Sequence, residues 1–199
     1  MVELFESAFN QIQLGGWVMY PLIGTCLWMW FLIGKKSVDM YLFTKGDRRF
    51  DELRPDIENA DYSAASWQKY LIDGYKAERT GNRELDESII ESHQTHLEQY
   101  VNKYTGTIAL LSTVAPLLGL LGTVSGMVTT FTVIAEFGTG NARALASGIS
   151  EALITTQTGL VVAVPGLFLA SFLIRRSNNL LERMHRFCLR LSRAKLGAV

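Results

Sequence analysis

Charge is missing from three stretches of this chain. Trp17 to Gly34, Tyr104 to Ala135 and Ala152 to Ile174 hold no Asp, Glu, Lys or Arg. A bilayer is crossed by about 20 apolar residues rising 1.5 Å each, so all three are candidate spans and a purely aqueous domain is excluded. Cysteine is nearly absent as well. Cys26 lies mid-span and Cys188 in the basic tail, which leaves no disulfide framework and no reading of redox compartment. Histidine occurs only as His93, His96 and His185, all outside the apolar windows. An intramembrane protease needs a nucleophile with its base, or a metal pair, at membrane depth, and the spans offer neither. His93 and His96 stand three apart without a third ligand at matching spacing, so a helix-surface pair outweighs a metal site. With no phosphate loop, nucleophile elbow, internal repeat or low-complexity tract, no enzyme activity, cofactor, metal or nucleic-acid partner is expected.

Nineteen basic and nineteen acidic residues balance to zero net charge. The mean hydropathy of only +0.15 reflects a bimodal chain, apolar spans beside a charged aqueous segment. The reading is an all-α polytopic membrane protein with three transmembrane helices and long cytoplasmic helical extensions, oligomeric around a central pore. A short amphipathic outer segment (1–16) precedes span one (17–34). A cytoplasmic helical segment (35–103) leads into span two (104–135), a periplasmic loop (136–151), span three (152–174) and a basic cytoplasmic tail (175–199). Glu3 and Glu6 replace the basic start of a signal sequence, and no small-residue cleavage pattern follows, so span one is read as retained.

Orientation follows from basic residues near the span ends. Arg175, Arg176, Arg183, Arg186, Arg190, Arg193 and Lys195 face a single acid, Glu182, in the tail, whereas Arg143 is the only basic residue between spans two and three. The tail and the 35–103 segment are therefore placed inside and the N-terminus outside. Arg175, Arg176, Arg183 and Arg186 either set this topology or also contact anionic phospholipid headgroups, each worth about 1 kcal/mol near the surface.

Leu85, Ile89, His93, Leu97, Val101 and Tyr104 recur at helical spacing, with Asn82 as N-cap, and predict one helix of roughly 50 residues running through span two. Trp67, Tyr70, Leu71, Gly74 and Tyr75 predict a second amphipathic helix between breakers at 46–55 and 80–82. Leu180, Met184, Phe187, Cys188 and Leu191 repeat the stripe in the tail.

Within the spans the chemistry is carried by hydroxyls and glycines. Thr113, Pro116, Gly119, Leu120, Thr123, Met127 and Thr130 fall on one stripe of span two. Thr155, Thr156, Gly159, Ala163, Gly166 and Ala170 do so on span three, with Pro165 beside them. Gly122 with Gly126 makes a GxxxG pair, and Gly159–Ala163 and Gly166–Ala170 repeat small-xxx-small spacing, which favours close helix approach. A threonine in such a helix more often bonds its own preceding carbonyl than lines a pathway, although several polar residues at one depth shift that balance. Glu151, at the entrance of span three, is read either as a pathway carboxylate or as a helix N-terminal residue satisfying the dipole. A hydroxyl relays a proton but does not hold one, so a proton path here requires a titratable group from a partner helix.

The segments 115–131, APLLGLLGTVSGMVTTF, and 148–165, GISEALITTQTGLVVAVP, resemble the two signatures of the MotA/TolQ/ExbB proton-channel family, most nearly its ExbB branch. The resemblance covers the three-span layout and about the last 95 residues. It implies a homopentamer in the bacterial inner membrane enclosing an ExbD-like single-span dimer, whose aspartate supplies the proton carrier, with a TonB-like protein receiving the force. On it, the pore threonines correspond to Thr123 and Thr156, with Thr155 and Thr130 nearby, and the glutamate position to Glu151. Ser125 stands where many relatives carry Trp, and the outer segment is short. TolQ-like work on envelope maintenance remains a rival, a passive scaffold is a further alternative, and three spans weigh against a four-span flagellar stator.

Overall fold

A computed structural model of the chain describes residues 12–58 and 63–193. Most of the expected outer segment and Lys195 lie outside the described residues. Among the described residues the structure is all-helical: α1 (Met19–Thr44), α2 (Phe50–Glu58), α3 (Ser66–Glu78), α4 (Arg83–Asn102), α5 (Thr105–Phe137), a 3-10 turn (Gly138–Gly140) and α6 (Ala142–Arg193). Two runs are long and apolar enough to cross a membrane, Glu84–Phe137 and Ala142–Arg193. The first apolar window falls short by that measure. Its helix begins only at Met19, so Lys35 and Lys36 enter any stretch of the needed length.

The chain divides into two compact units, residues up to Ile33 with Gly106–Ser171, and Gly34–Thr105 with Phe172 onward. The first packs the start of α1 against α5 and α6 through Leu22, Met29, Ile108, Ala115, Ala163 and Ala170, all buried. Its outside is apolar: Leu117, Val124, Phe131, Leu153, Val161 and Phe168 are all exposed. Surfaces of this kind belong against lipid or other apolar helices rather than water.

The second unit has a soluble-protein core. Trp67, Leu71, Ile72 and Tyr75 on α3 meet Leu180, Met184, Phe187, Cys188 and Leu191 on α6, with Phe50, Leu53, Ile90, Leu97 and Val101 closing the cluster. Phe187 is its centre, edge-on to Phe50 and to Trp67 at 5.2 Å between ring centroids in each case. This is a geometry in which the positive ring edge meets a negative face. Burial pushes the Cys188 thiol up to about 12, so the group is an inert apolar filler.

Several expectations change. The helix predicted to run unbroken into span two is interrupted at Lys103 and Tyr104, where Tyr104 takes φ +67°. The break exposes the Val101 carbonyl, which accepts from the buried Lys36 ammonium and, at 3.5 Å, from Ser177 Oγ. A cation is favourable at that end of a helix. Of the stripe expected on α4, Leu97 and Val101 are buried but Leu85 is exposed, and Ile90, outside the stripe, is buried as well. The region 46–55 is not simply a breaker. Phe50 and Leu53 are buried and anchor α2, which carries Asp51 and Glu52 in its first turn and Pro55 inside it. Nor is 136–151 a loop. α5 reaches Phe137 and α6 starts at Ala142, with the Asn141 side chain accepting from the Ala144 N–H at 3.2 Å. Ala, Leu and Arg there are good helix formers, and an Asn cap suffices to start the helix.

Asn82 caps α4, its side-chain oxygen accepting from the Glu84 N–H at 3.1 Å. The α3–α4 turn is stapled by Asp86, whose Oδ1 accepts from the Thr80 N–H at 2.8 Å and from Thr80 Oγ1 at 3.1 Å. Those bonds, the backbone one first, hold the Asp86 carboxyl below its ordinary value of 3.8. As pH falls, the unfolded chain takes up this proton before the folded one. The staple's contribution is therefore complete above pH 3.8 and lost below it, through the folded value. Acid titrations of unit stability should show native protein losing more than Asp86→Asn below that point, and parallel curves would refute the linkage. Phe187→Ala, which empties the core's centre, should cost about 3–5 kcal/mol, read as lost amide-exchange protection of α3.

Candidate functional site

Where α5 crosses α6, glycine sets how near the two helices come. A Cβ on Gly119 would lie 3.1 Å from the Thr155 carbonyl oxygen and 3.3 Å from Thr156 Cα. On Gly159 it would lie 3.0 Å from the Ala115 carbonyl oxygen and 3.1 Å from Gly119 Cα. A Cβ on Gly126 would stand 2.7 Å from the Gly148 carbonyl oxygen, and one on Gly122 would overlap the Thr155 side chain. The two backbones are thus in direct contact over three turns, as small residues allow. Gly166 is held against Met29 Sδ and Ser112 Oγ, and Ala163 is buried. Pro116 and Pro165 both lie inside intact helices.

The threonines divide by position along this crossing. Thr155 and Thr130 are buried between the helices. Thr155 Oγ1 donates within its own helix to the carbonyls of Glu151 (3.1 Å) and Ala152 (3.0 Å), and Thr130 Oγ1 donates to Gly126 at 2.9 Å. Both hydroxyls are turned into the α5–α6 seam and bonded within their own helices. Thr123 and Thr156 are only half-buried. They donate to Leu120 and Ala152 at 2.6 and 2.8 Å, which leaves each oxygen's lone pairs as acceptors at the rim. Thr156 abuts Gly119, and Thr123 follows one turn later. Of the rest of the predicted span-two stripe, Thr113, Leu120 and Met127 are exposed and Pro116 half-buried.

Glu151 is the only acid between Ala142 and Arg175. Because α6 starts at Ala142, Glu151 sits in the third turn rather than at a helix end. The dipole reading therefore fails, since that effect fades within the first turn. Its half-buried carboxylate lies against Gly16, which takes φ +64° and whose Cβ would overlap Glu151 Oε1. The next residue, Trp17, donates from Nε1 to Ser125 Oγ at 3.1 Å. Gly16 escaped the sequence reading: a lone glycine before an apolar run carries no period, and only the tertiary contact reveals it. Of the four arginines expected to set topology or meet headgroups, Arg175 and Arg176 are exposed. Arg183 pairs with Asp47, and Arg186 with Glu182 at 3.3 Å.

Gly122→Ala should destabilise the chain by about 1–3 kcal/mol, the usual cost of overpacking. Gly24→Ala, with nothing within 4 Å of its Cβ, should be neutral or gain about 0.5–1 kcal/mol of helix stability. Thermal unfolding in detergent separates the pair, and equal melting temperatures would remove the close contact.

A sequence profile described as the MotA/TolQ/ExbB proton channel family matches residues 61–186. The biopolymer transport protein ExbB of Aquifex aeolicus is 38% identical over 98 residues, covering 48% of this chain and 66% of that protein. ExbB of Salmonella typhimurium is 29% identical over 176 residues, covering 80% of this chain and 72% of its own length. ExbB of Pseudomonas putida is 41% identical over 71 residues, 36% of this chain and 22% of that protein. The matched residues include α3, α4, α5 and the crossing with its glycines, threonines and Glu151. This chain therefore belongs to the MotA/TolQ/ExbB proton channel family, a family of transport-energising membrane proteins and not of enzymes.

Proposed function

We propose that this chain is the pore-forming subunit of an inner-membrane motor of the ExbB–ExbD kind, which draws on proton motive force to energise TonB-dependent outer-membrane transport. The observation that carries the reading is the rim of the α5–α6 crossing. There Thr123 and Thr156 keep hydroxyl acceptors at the edge of an otherwise sealed helix pair, with Glu151 a little over one turn before Thr156. No other titratable side chain lies between Arg143 and Arg175. A proton carrier must then come from outside the chain, and a partner helix bearing a carboxylate supplies it.

In this reading several copies, five by family resemblance, enclose an ExbD-like dimer, and a TonB-like protein takes up the work. Three spans cross the inner membrane at 17–34, 104–135 and 152–174, with the N-terminus periplasmic and the C-terminus cytoplasmic. Arg175 and Arg176 sit at the anionic headgroups of the inner leaflet. The partner carboxyl, once protonated, donates to a hydroxyl oxygen at the rim and is held there. Losing that proton on the other side leaves it with acceptors only, so it is released, and on taking up the next proton it donates to the next subunit's rim. Each elementary charge passing through 100 mV supplies about 2.3 kcal/mol, enough to step between weakly held positions.

The test is iron–siderophore uptake in a strain lacking its own ExbB-type motor, with this chain expressed beside an ExbD-type single-span protein. Native protein should restore uptake, and Thr156→Val, which keeps the volume and removes the hydroxyl, should fall at least tenfold with the complex still assembled. Full uptake by Thr156→Val would end the relay. No rescue by an assembled native pair would move the assignment to TolQ-like envelope work.

A further inference from the structure

The second unit contains a cavity that proton transfer does not use. It has a volume of about 360 Å³ and is walled by Arg48 and Arg49 from the segment before α2 and by Arg183, Arg186 and Arg190 from α6. The α6 residues are spaced three and four apart and so share one helix face. Its remaining lining is Asp47, Phe50, Trp67, Gln68 and Phe187, and a volume of this size suits a small-molecule site.

The arginine segment is held in place. Gln68 Oε1 accepts from the Arg48 N–H and the Ala65 N–H, both at 3.2 Å, while Gln68 Nε2 donates to the Arg48 carbonyl at 2.5 Å. Two ion pairs tie the segment and α2 to α6: Arg183 with Asp47, and Arg190 Nη1 with Asp51 Oδ2 at 2.7 Å. Arg186 pairs with Glu182 on its own helix at 3.3 Å. The guanidiniums of Arg183, Arg186 and Arg190 thus each meet one carboxylate. Each guanidinium offers five donors in a planar fork, more than those carboxylates can take up. Trp67 also lines the cavity, and its buried indole Nε1 has no acceptor among the described residues. Burial lifts the Asp47 carboxyl above its ordinary value despite Arg183 beside it, as in a wall partly withdrawn from water.

We propose that this cavity binds a soluble, multiply charged phosphate anion, clamped by Arg49 and Arg186 with Arg48, Arg183 and Arg190 completing the wall. Forked guanidiniums match phosphate oxygens two at a time, which is why phosphate is preferred over a simple halide or monocarboxylate. A water-soluble source is favoured over a lipid headgroup by distance, a point that rests on the span boundary proposed above. Along α6 from Ile174, Arg183 and Arg190 lie roughly 13 and 24 Å away. The headgroup layer adds only roughly 5–8 Å on each side. Occupancy would brace the segment before α2 against α6, so the anion would act as a stabilising ligand of the cytoplasmic unit.

The test is calorimetric titration of the purified full chain, in phosphatidylcholine nanodiscs, with inorganic triphosphate. One saturable site per chain is expected, weakened by added salt. Arg49→Gln with Arg186→Gln should reduce affinity at least tenfold and abolish the rise in melting temperature that triphosphate gives the native chain. Arg49→Lys with Arg186→Lys keeps the charge without the fork and should lose severalfold, which carries the comparison if the glutamine pair folds poorly. Lys45→Gln with Arg193→Gln removes the same charge outside the wall and should bind as native. Three outcomes overturn the proposal: no saturable binding, equal loss in the control pair, or undiminished affinity in both cavity variants. Binding that appears only when phosphatidylglycerol is placed in the disc, and never with free triphosphate, assigns the phosphate to a headgroup and also overturns it. None of these readouts depends on siderophore uptake, so the site and the motor stand or fall separately.

Discussion

Direct backbone contact between α5 and α6 is the constraint on which the apolar unit turns. With Gly119 against Gly159 and Gly126 against Gly148 and Ala152, two long helices approach more closely than any pair carrying larger side chains. In lipid, where no hydrophobic gradient pulls helices together, such packing contacts and the hydrogen bonds near them supply the association. The same closeness decides what becomes of each hydroxyl. Thr130 and Thr155 are sealed in the seam with their protons spent on helix carbonyls, and Thr123 and Thr156 are left at its rim. Glycine placement thereby selects which polar groups remain open to a partner.

The two units are built for different solvents. The apolar unit turns Leu, Val and Phe outward and brings Ala, Gly and Thr together where α5 meets α6, an outer surface that suits lipid rather than water. The other unit buries Trp67, Phe187 and Met184 and, Lys36 apart, sets most of its charges outside, several in ion pairs. Where α4 gives way to α5, the break at Tyr104 is compensated locally: the Lys36 ammonium and the Ser177 hydroxyl meet the carbonyl that a continuous helix would have satisfied. Burial lowers the Lys36 pKa, Asp39 opposing the shift. A lysine taken out of water at this point is the cost of ending one helix and starting another.

Membership of a proton channel family fits a chain whose spans carry hydroxyls and a single glutamate. A hydroxyl passes a proton only when a neighbouring group gives and another receives. On the function proposed above, the poverty of the apolar windows in titratable groups is what calls for a carboxylate from a partner. The second unit, with its arginine-walled cavity, adds a further polar feature whose electrostatics favour an anion.

The sequence by itself determined the all-helical class, the charge-free windows and the small-residue spacing that lets helices touch, because period, charge and side-chain size are local properties. The amphipathic stripe of the tail was equally legible, and Leu180, Met184, Phe187, Cys188 and Leu191 all enter the core. What tertiary structure alone decided is which of several chemically alike residues meet a partner. Thr155 and Thr156 are adjacent and identical in type, yet one is sealed and the other stands at the rim, because a helix turns 100° between them. Glu151 lost its dipole role because α6 starts three turns earlier than the polarity of 136–151 suggested. Gly16, and the gathering of arginines from 48–49 and 183–190, depend on contacts across more than a hundred residues, which no local pattern encodes.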